Sequence, residues 1–302
     1  MKWTKKIFWA AALLIFAAAL GFWLRPVSYF NGAMYLRETL RGDASRTVQV
    51  EGYRVHYLAA GPADGRPVVL VHGLGGSCED WRNLAPALTR AGFRVYMPDL
   101  LGYGRSERPA GFSYTVRDEA SLVIGFMDAL GLSQVDLGGW SMGGWIVQLV
   151  ADDAPGRVKQ LILFDSAGLE LKPDWDTSLF TPSSAQELDE LDTLLMPHPP
   201  PVPGFVARDI LRISSKNGWV VQRAMTAMLT GSDVTDTLLP RLTMPILIVW
   251  GTLDRITPLD EGEKMHQLAP HSQLDLIAGC GHLAPLQCTS QITPKLVSFL
   301  EQ

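Results

Sequence analysis

The chain has 302 residues and a formal net charge of −5, with 47% apolar and 19% charged residues, 28 glycines and 20 prolines. That much apolar material supports a packed core and excludes disorder or a collagen-like architecture; the length allows one large domain or two small ones. The charge is uneven: residues 1–41 hold six Lys or Arg against Glu38 alone, so the remaining body is acidic and a nucleic-acid partner, which needs a basic face, is not expected.

Residues 7–24 are uncharged, and only Gly21 lies outside the apolar class. As a helix the run would measure about 27 Å at ~1.5 Å per residue, close to the roughly 30 Å hydrocarbon core of a bilayer. Trp3, Trp9, Phe22 and Trp23 lie at or near its ends, where aromatics favour the interface, and Lys2, Lys5 and Lys6 precede it. Signal-peptide cores run about 7–15 residues, so a retained transmembrane signal anchor is expected. The charge asymmetry puts the amino terminus in the cytoplasm and the body in the periplasm or another extracytoplasmic space, with Arg25 and Arg37 weighing against that orientation. Cleavage behind Ala17-Ala18-Ala19, giving a secreted protein, is the alternative. Residues 29–41 have helical spacing and stop at Gly42, so 1–42 reads as anchor and connecting helix and 43–302 as the folded body.

In the body, 47–51 and 54–58 alternate around Gly52 as an opening strand pair. Short apolar runs at 68–71, 94–97, 134–137, 160–164, 246–250 and 273–277 then alternate with helical stretches near 80–91, 116–130, 144–152, 259–268 and 291–300. Continuous apolar strands separated by helices predict a mostly parallel sheet buried on both faces, an α/β architecture. Between 166 and 244 no strong strand occurs; 184–195 and 205–229 look helical around the proline cluster Pro197 to Pro203. An insertion of that length at a strand's carboxyl end is expected to sit over a site as a lid.

Gly139-Trp140-Ser141-Met142-Gly143 follows one of these strands and precedes a helix, the context that turns G-x-S-x-G into a nucleophile elbow. A serine hydroxyl needs a base held by a third group. His282, in the Gly279-Cys280-Gly281-His282 loop after the last strand, is the candidate base; His72, His266, His271, His198 and His56 fit less well. Asp254 and Asp165 both end strands at the sheet's carboxyl edge and are the candidate acids. Asp254 is favoured because its strand neighbours the one leading to His282, although Arg255 beside it could pair with the carboxylate. The glycine-rich loop Val71-His72-Gly73-Leu74-Gly75-Gly76 offers amides for an oxyanion, with Leu74 and Met142 as the candidate donors. Asp99 reads as a structural acid holding its loop. Cys78, Cys280 and Cys288 are too few for a disulfide framework; Cys280 and Cys288 could pair in an oxidising compartment, free or buried thiols being the simpler expectation. The histidine spacings indicate no metal, and no cofactor is expected.

Together the HGLGG loop from His72, the DLLGYGRS loop from Asp99, GWSMGG from Gly139, GTLDRITP from Gly251 and GCGH ending at His282 make residues 47–302 resemble the α/β-hydrolase-fold serine hydrolases. The resemblance implies Ser141 as nucleophile, His282 as proton carrier and Asp254 as its orienting acid. The apolar amino-terminal run with GWSMGG and Phe164-Asp165-Ser166-Ala167-Gly168-Leu169 is similar to membrane-anchored monoacylglycerol lipases, which implies a small-molecule ester or lipid substrate met at a membrane. The same strings resemble hydrolases that cleave carbon–carbon bonds in aromatic ring-cleavage products, and a perhydrolase with the same triad is a further alternative. Serine at 141 departs from the dehalogenase and epoxide hydrolase branches, which use aspartate there. A non-catalytic binding module is the third reading, disfavoured because nucleophile, base, acid and oxyanion loop are all present.

Overall fold

The computed structural model describes residues 2–41, 44–170 and 172–302; Gly42, where the connecting helix was expected to stop, lies outside them. The chain opens with helices α1 (Lys2–Leu24) and α2 (Pro26–Arg41). They break at Arg25 because Pro26 has no N–H and pushes the residue before it out of helical geometry. Gly21 lets the fold close there, since a Cβ would fall on the Tyr29 hydroxyl of α2. Among the described residues no single helix is long and apolar enough to cross a membrane. The expected span over 7–24 falls within α1; the segments Trp9–Leu24 and Pro26–Arg37, bent by 108°, reach that length and composition only together.

The body is one eight-stranded sheet. Strands β1 (Ala44–Val50) and β2 (Tyr53–Ala60) form the expected antiparallel hairpin. β3 (Pro67–Val71) is followed by the short helix α3 (Ala85–Arg90) and β4 (Arg94–Pro98). The continuous helix expected over 80–91 is absent: a 3-10 turn at Cys78–Trp81 is boxed by Ser77 and Asp80, and Pro86 starts α3 afresh. Next come α4 (Val116–Ala129), β5 (Val135–Trp140), α5 (Met142–Asp153) and β6 (Val158–Phe164). Two helices, α6 (Ala185–Leu195) and α7 (Gly204–Met228), occupy the stretch before β7 (Ile246–Gly251). The chain closes with α8 (Leu259–Leu268), β8 (Ser272–Ile277), α9 (Ala284–Gln287) and α10 (Thr289–Leu300).

The strand order is β1-β2-β4-β3-β5-β6-β7-β8, with β2 antiparallel to both neighbours and the pairs from β4 to β8 parallel. The central strands β3, β5, β6 and β7 are mostly apolar and buried because helices cover both faces, with Asp136 of β5 and Lys159 and Gln160 of β6 the polar exceptions: α4, α5 and α8 pack on one core, α3 and α10 on the other. The parallel strands β5, β6 and β7 therefore bring residues 141, 165 and 254 to one edge of the sheet.

Candidate active site

Ser141 sits between β5 and α5 with φ 55° and ψ −121°, a left-handed conformation that a serine adopts only when its surroundings impose it. The surroundings are two glycines. A Cβ on Gly139 would fall on the Gly143 carbonyl, and one on Gly143 on the Val71 carbonyl, so only glycine admits so tight a turn. The helix starts at Met142, two residues before the expected 144, so the Met142 amide occupies a first-turn position with no acceptor inside its own helix.

His282 lies 2.9 Å by Nε2 from Ser141 Oγ and 2.7 Å by Nδ1 from Asp254 Oδ2. An ionised carboxylate only accepts, so Nδ1 carries the proton and Nε2 is free to accept from the serine hydroxyl. Asp254 Oδ1 accepts from the amides of Ile256 (2.8 Å) and Thr257 (3.1 Å), while Thr257 Oγ1 donates to Oδ2 at 2.9 Å. All the carboxylate's lone-pair directions toward protein are thus filled, which fixes its rotamer. Arg255 does not pair with it; that side chain is exposed and donates to the Thr193 carbonyl.

Asp165, the other candidate acid, is fully buried but does not hydrogen-bond His282; its Oδ1 accepts from Gly251 N at 2.7 Å, and Oδ2 has no partner. Burial first, and then the nearby Asp254 carboxylate, push its pKa well above the ordinary range, against the Gly251 amide that favours the ionised form. Two groups missed in the sequence complete the site. Trp140 Nε1 donates to the His282 carbonyl at 2.8 Å, and Thr257 links Asp254 to the imidazole, its Oγ1 3.3 Å from Nδ1. The signal for Thr257 was its place three residues after Asp254, the spacing at which an aspartate folds its own turn.

The loop carrying His282 is closed by a disulfide between Cys280 and Cys288, which corrects the expectation of free thiols; Cys78 alone remains free and buried. Above Ser141 and His282 opens a cavity of about 730 Å³. Gly73 and Leu74 line one side, Phe180, Leu188, Leu191 and Ile213 give it apolar surface, and Val27, Ser28 and Asn31 of α2 form part of its wall.

A second serine–histidine–aspartate row shows what distance alone does not confer. Ser45 Oγ lies 2.9 Å from His56 Nε2, and His56 Nδ1 2.7 Å from Asp99 Oδ2. Asp99 also accepts from the amides of Cys78 (2.7 Å) and Arg105 (2.9 Å), and Arg105 Nη1 stands 3.4 Å from His56 Nε2. Burial alone would raise the Asp99 pKa, but the His56 contact, His72 and the amides outweigh it and hold Asp99 below the usual range. Among the described residues His56, Cys78 and Asp99 are the one group with ligand atoms close enough for a metal, within 4.8 Å. Burial and the Asp99 charge keep the Cys78 thiol protonated, and a guanidinium faces the imidazole, so the donor set does not suit a cation. This is a lock joining the opening hairpin to the loops after β3 and β4. His72 is structural too, accepting from Leu100 N at 3.0 Å by Nε2 and donating to the Gly73 carbonyl at 2.8 Å. His271 and His198 are exposed, and His266 is half-buried, its Nδ1 2.7 Å from Ser272 Oγ.

The family described as alpha/beta hydrolase fold matches residues 66–200 and 204–287. The 2-hydroxymuconate semialdehyde hydrolase of Pseudomonas putida is 29% identical over 282 residues, covering 86% of this chain and 95% of its own. Lipase 3 of Moraxella sp. is 27% identical over 263 residues, with 82% of this chain and 81% of that protein covered. Among solved structures, a membrane phospholipase A described as a bacterial virulence factor is similar with a TM-score of 0.84 and 25% identity over 98% of each chain.

Proposed function

Because the chain belongs to the alpha/beta hydrolase family, we propose that it is a serine hydrolase of carboxylic esters, acting on monoacylglycerols or similar single-chain lipid esters. The observation that carries this reading is the hydrogen-bonded row Ser141–His282–Asp254, of which Ser141 and His282 line the cavity. Ser141 Oγ attacks the ester carbonyl while its proton passes to His282 Nε2. The Leu74 and Met142 amides receive the negative charge that develops on the carbonyl oxygen. Collapse breaks the bond to the alcohol, which takes the proton back from His282 and leaves an acyl-serine. Water, deprotonated by the same imidazole, then releases the acid and restores Ser141. Asp254 stays ionised throughout and stabilises the imidazolium.

The volume of the cavity, about 730 Å³, and its apolar lining favour an alkyl chain, with α6 and α7 acting as a lid. Membrane attachment through α1 and α2 fits the same reading. Ile7, Leu13, Leu14, Ile15 and Phe16 are each more than 60% exposed, a surface that water disfavours and lipid accepts. The similarity to a membrane phospholipase A over 98% of this chain leaves no room to omit both helices. The Cys280–Cys288 bond fits an oxidising, extracytoplasmic location for the body.

The similarity to a semialdehyde hydrolase favours a second reading, cleavage of a carbon–carbon bond beside a ketone with the same residues. Purified protein assayed against monoolein, p-nitrophenyl esters of graded chain length and a ring-cleavage dienoate separates the two. Turnover of the dienoate above that of monoolein would overturn the lipid-ester reading. Fluorophosphonate labelling that persists in Ser141→Ala would remove both.

A further inference from the structure

A second cavity, of about 280 Å³, lies away from Ser141, between α2 and the edge of the body. Its floor is apolar and buried: Leu58 and Ala60 of β2, Met97 of β4, and the Cys78 thiol. Its lining carries three guanidinium groups, Arg37 of α2, Arg82 after the Cys78–Trp81 turn, and Arg90 at the end of α3, and no described carboxylate.

None of the three arginines forms an ion pair among the described residues; Arg82 makes a hydrogen bond only to the Glu79 backbone carbonyl. Of the acids of that turn, Asp80 feels the charge of Arg82 but forms no ion pair with it. Glu79 pairs with Arg105 at 2.8 Å, and Asp80 accepts from Ser77 N at 2.9 Å. Three guanidinium groups around one small cavity, in a chain of net charge −5, make a local positive patch that favours an anion. Guanidinium groups present paired N–H donors that match phosphate oxygens.

The position chooses the kind of anion. Met34 and Arg37 form one wall, and beside them on α2 the side chains of Tyr35, Leu36 and Leu40 are exposed. The cavity therefore adjoins an exposed apolar stretch of α2. We propose that this cavity binds the headgroup of an anionic phospholipid: the phosphodiester lies among Arg37, Arg82 and Arg90, and the first methylenes lie on Leu58, Ala60 and Met97. It holds a headgroup and not a whole lipid, so the site orients the body on an anionic surface and is separate from the catalytic cavity. The source of the ligand rests on the membrane reading above; the site itself rests on its own lining.

The test uses full-length protein in neutral maltoside micelles, titrated with phosphatidylglycerol, phosphatidylcholine or inorganic phosphate. Bound lipid is counted by native mass spectrometry, with a Ser141→Ala background to prevent turnover. Phosphatidylglycerol should bind at least tenfold more tightly to the Ser141→Ala parent than to the same chain carrying Arg82→Gln and Arg90→Gln. Fluorophosphonate labelling of the arginine variant with Ser141 intact should keep the wild-type rate, which shows that it has folded. Equal retention of phosphatidylglycerol by parent and variant would overturn the site. Phosphatidylcholine binding as tightly would reduce it to apolar contact, and inorganic phosphate binding as tightly would make it a soluble-anion site; either result overturns the proposal. Loss of labelling in the wild type would count against the catalytic reading and leave the lipid count readable.

Discussion

At Asp254 and Asp165 two carboxyl groups end neighbouring strands and meet opposite fates. Asp254 is surrounded by donors, the Ile256 and Thr257 amides, the Thr257 hydroxyl and His282; Asp165 has the Gly251 amide for one oxygen and nothing for the other. The ionised role therefore falls to Asp254. Asp254→Asn should lower kcat by on the order of 10⁴-fold with folding intact, because the amide presents the wrong partner to Nδ1, whereas Asp165→Asn should keep most activity; steady-state kinetics and circular dichroism of the two variants check this, and the reverse ranking would exchange their roles. Asp165 also makes a pH prediction. Its folded pKa is raised by burial and by Asp254, so above the unfolded value of about 3.9 the unfolded chain has lost a proton that the folded chain retains. Stability is then fully present below that pH and falls as pH rises toward the folded pKa. Asp165→Asn removes this dependence, so its Tm should gain on the wild type as pH rises above the unfolded value, until the raised folded pKa is passed. Parallel Tm curves would show that Asp165 is not held neutral.

Among the elements, the segment between β8 and α10 carries His282, and it is held at three points. The Cys280–Cys288 bond closes it, Trp140 anchors the His282 carbonyl, and Asp254 anchors the ring. Closing so short a loop is worth about 2–3 kcal/mol by chain entropy. Cys288→Ser should lower Tm and cut kcat several-fold by letting the imidazole wander, with the same change produced by dithiothreitol; an unchanged kcat under reduction would place the bond outside the positioning of His282. This staple was not legible in the sequence, where two cysteines among three give no pairing pattern, whereas the strands were legible because burial on both faces forces continuous apolar runs. Ser141 and His282 could be picked out because a strand–glycine–serine–glycine–helix string has few physical uses. Asp254 and Asp165 could not be separated by local pattern: both end strands, and the difference lies in amides and a threonine that only the turn after β7 brings together. The helix over 80–91 failed for the opposite reason. Its apolar periodicity runs through a capping box and a proline that end one turn and begin another. Trp140 gave no signal, because its carbonyl partner lies 142 positions away.

Over the whole molecule, the basic apolar end and the acidic body are not independent parts. Trp23 stacks on Phe205 of α7 with ring centroids 4.9 Å apart, and Val27 N at the start of α2 donates to the buried carboxylate of Asp209 at 3.1 Å. A carboxylate at a helix amino terminus meets unpaired amides and the positive end of the helix dipole, so α2 is joined to α7. Both elements also line the cavity beside Ser141, α2 through Val27, Ser28 and Asn31 and α7 through Ile210 and Ile213. A chain long enough to fill that cavity must therefore touch the junction, whereas an acetyl group held at Ser141 need not. Asp209→Ala removes the contact to α2 and leaves Arg212, its partner at 2.8 Å, without its carboxylate. The expected result is a several-fold rise in KM for long-chain p-nitrophenyl esters, with kcat/KM for the acetate unchanged. A general loss of packing would depress both substrates alike and would appear as a lower Tm, so the ratio of long-chain to acetate kcat/KM is the quantity to measure. If that ratio stays at the wild-type value, the α2–α7 junction has no part in substrate binding.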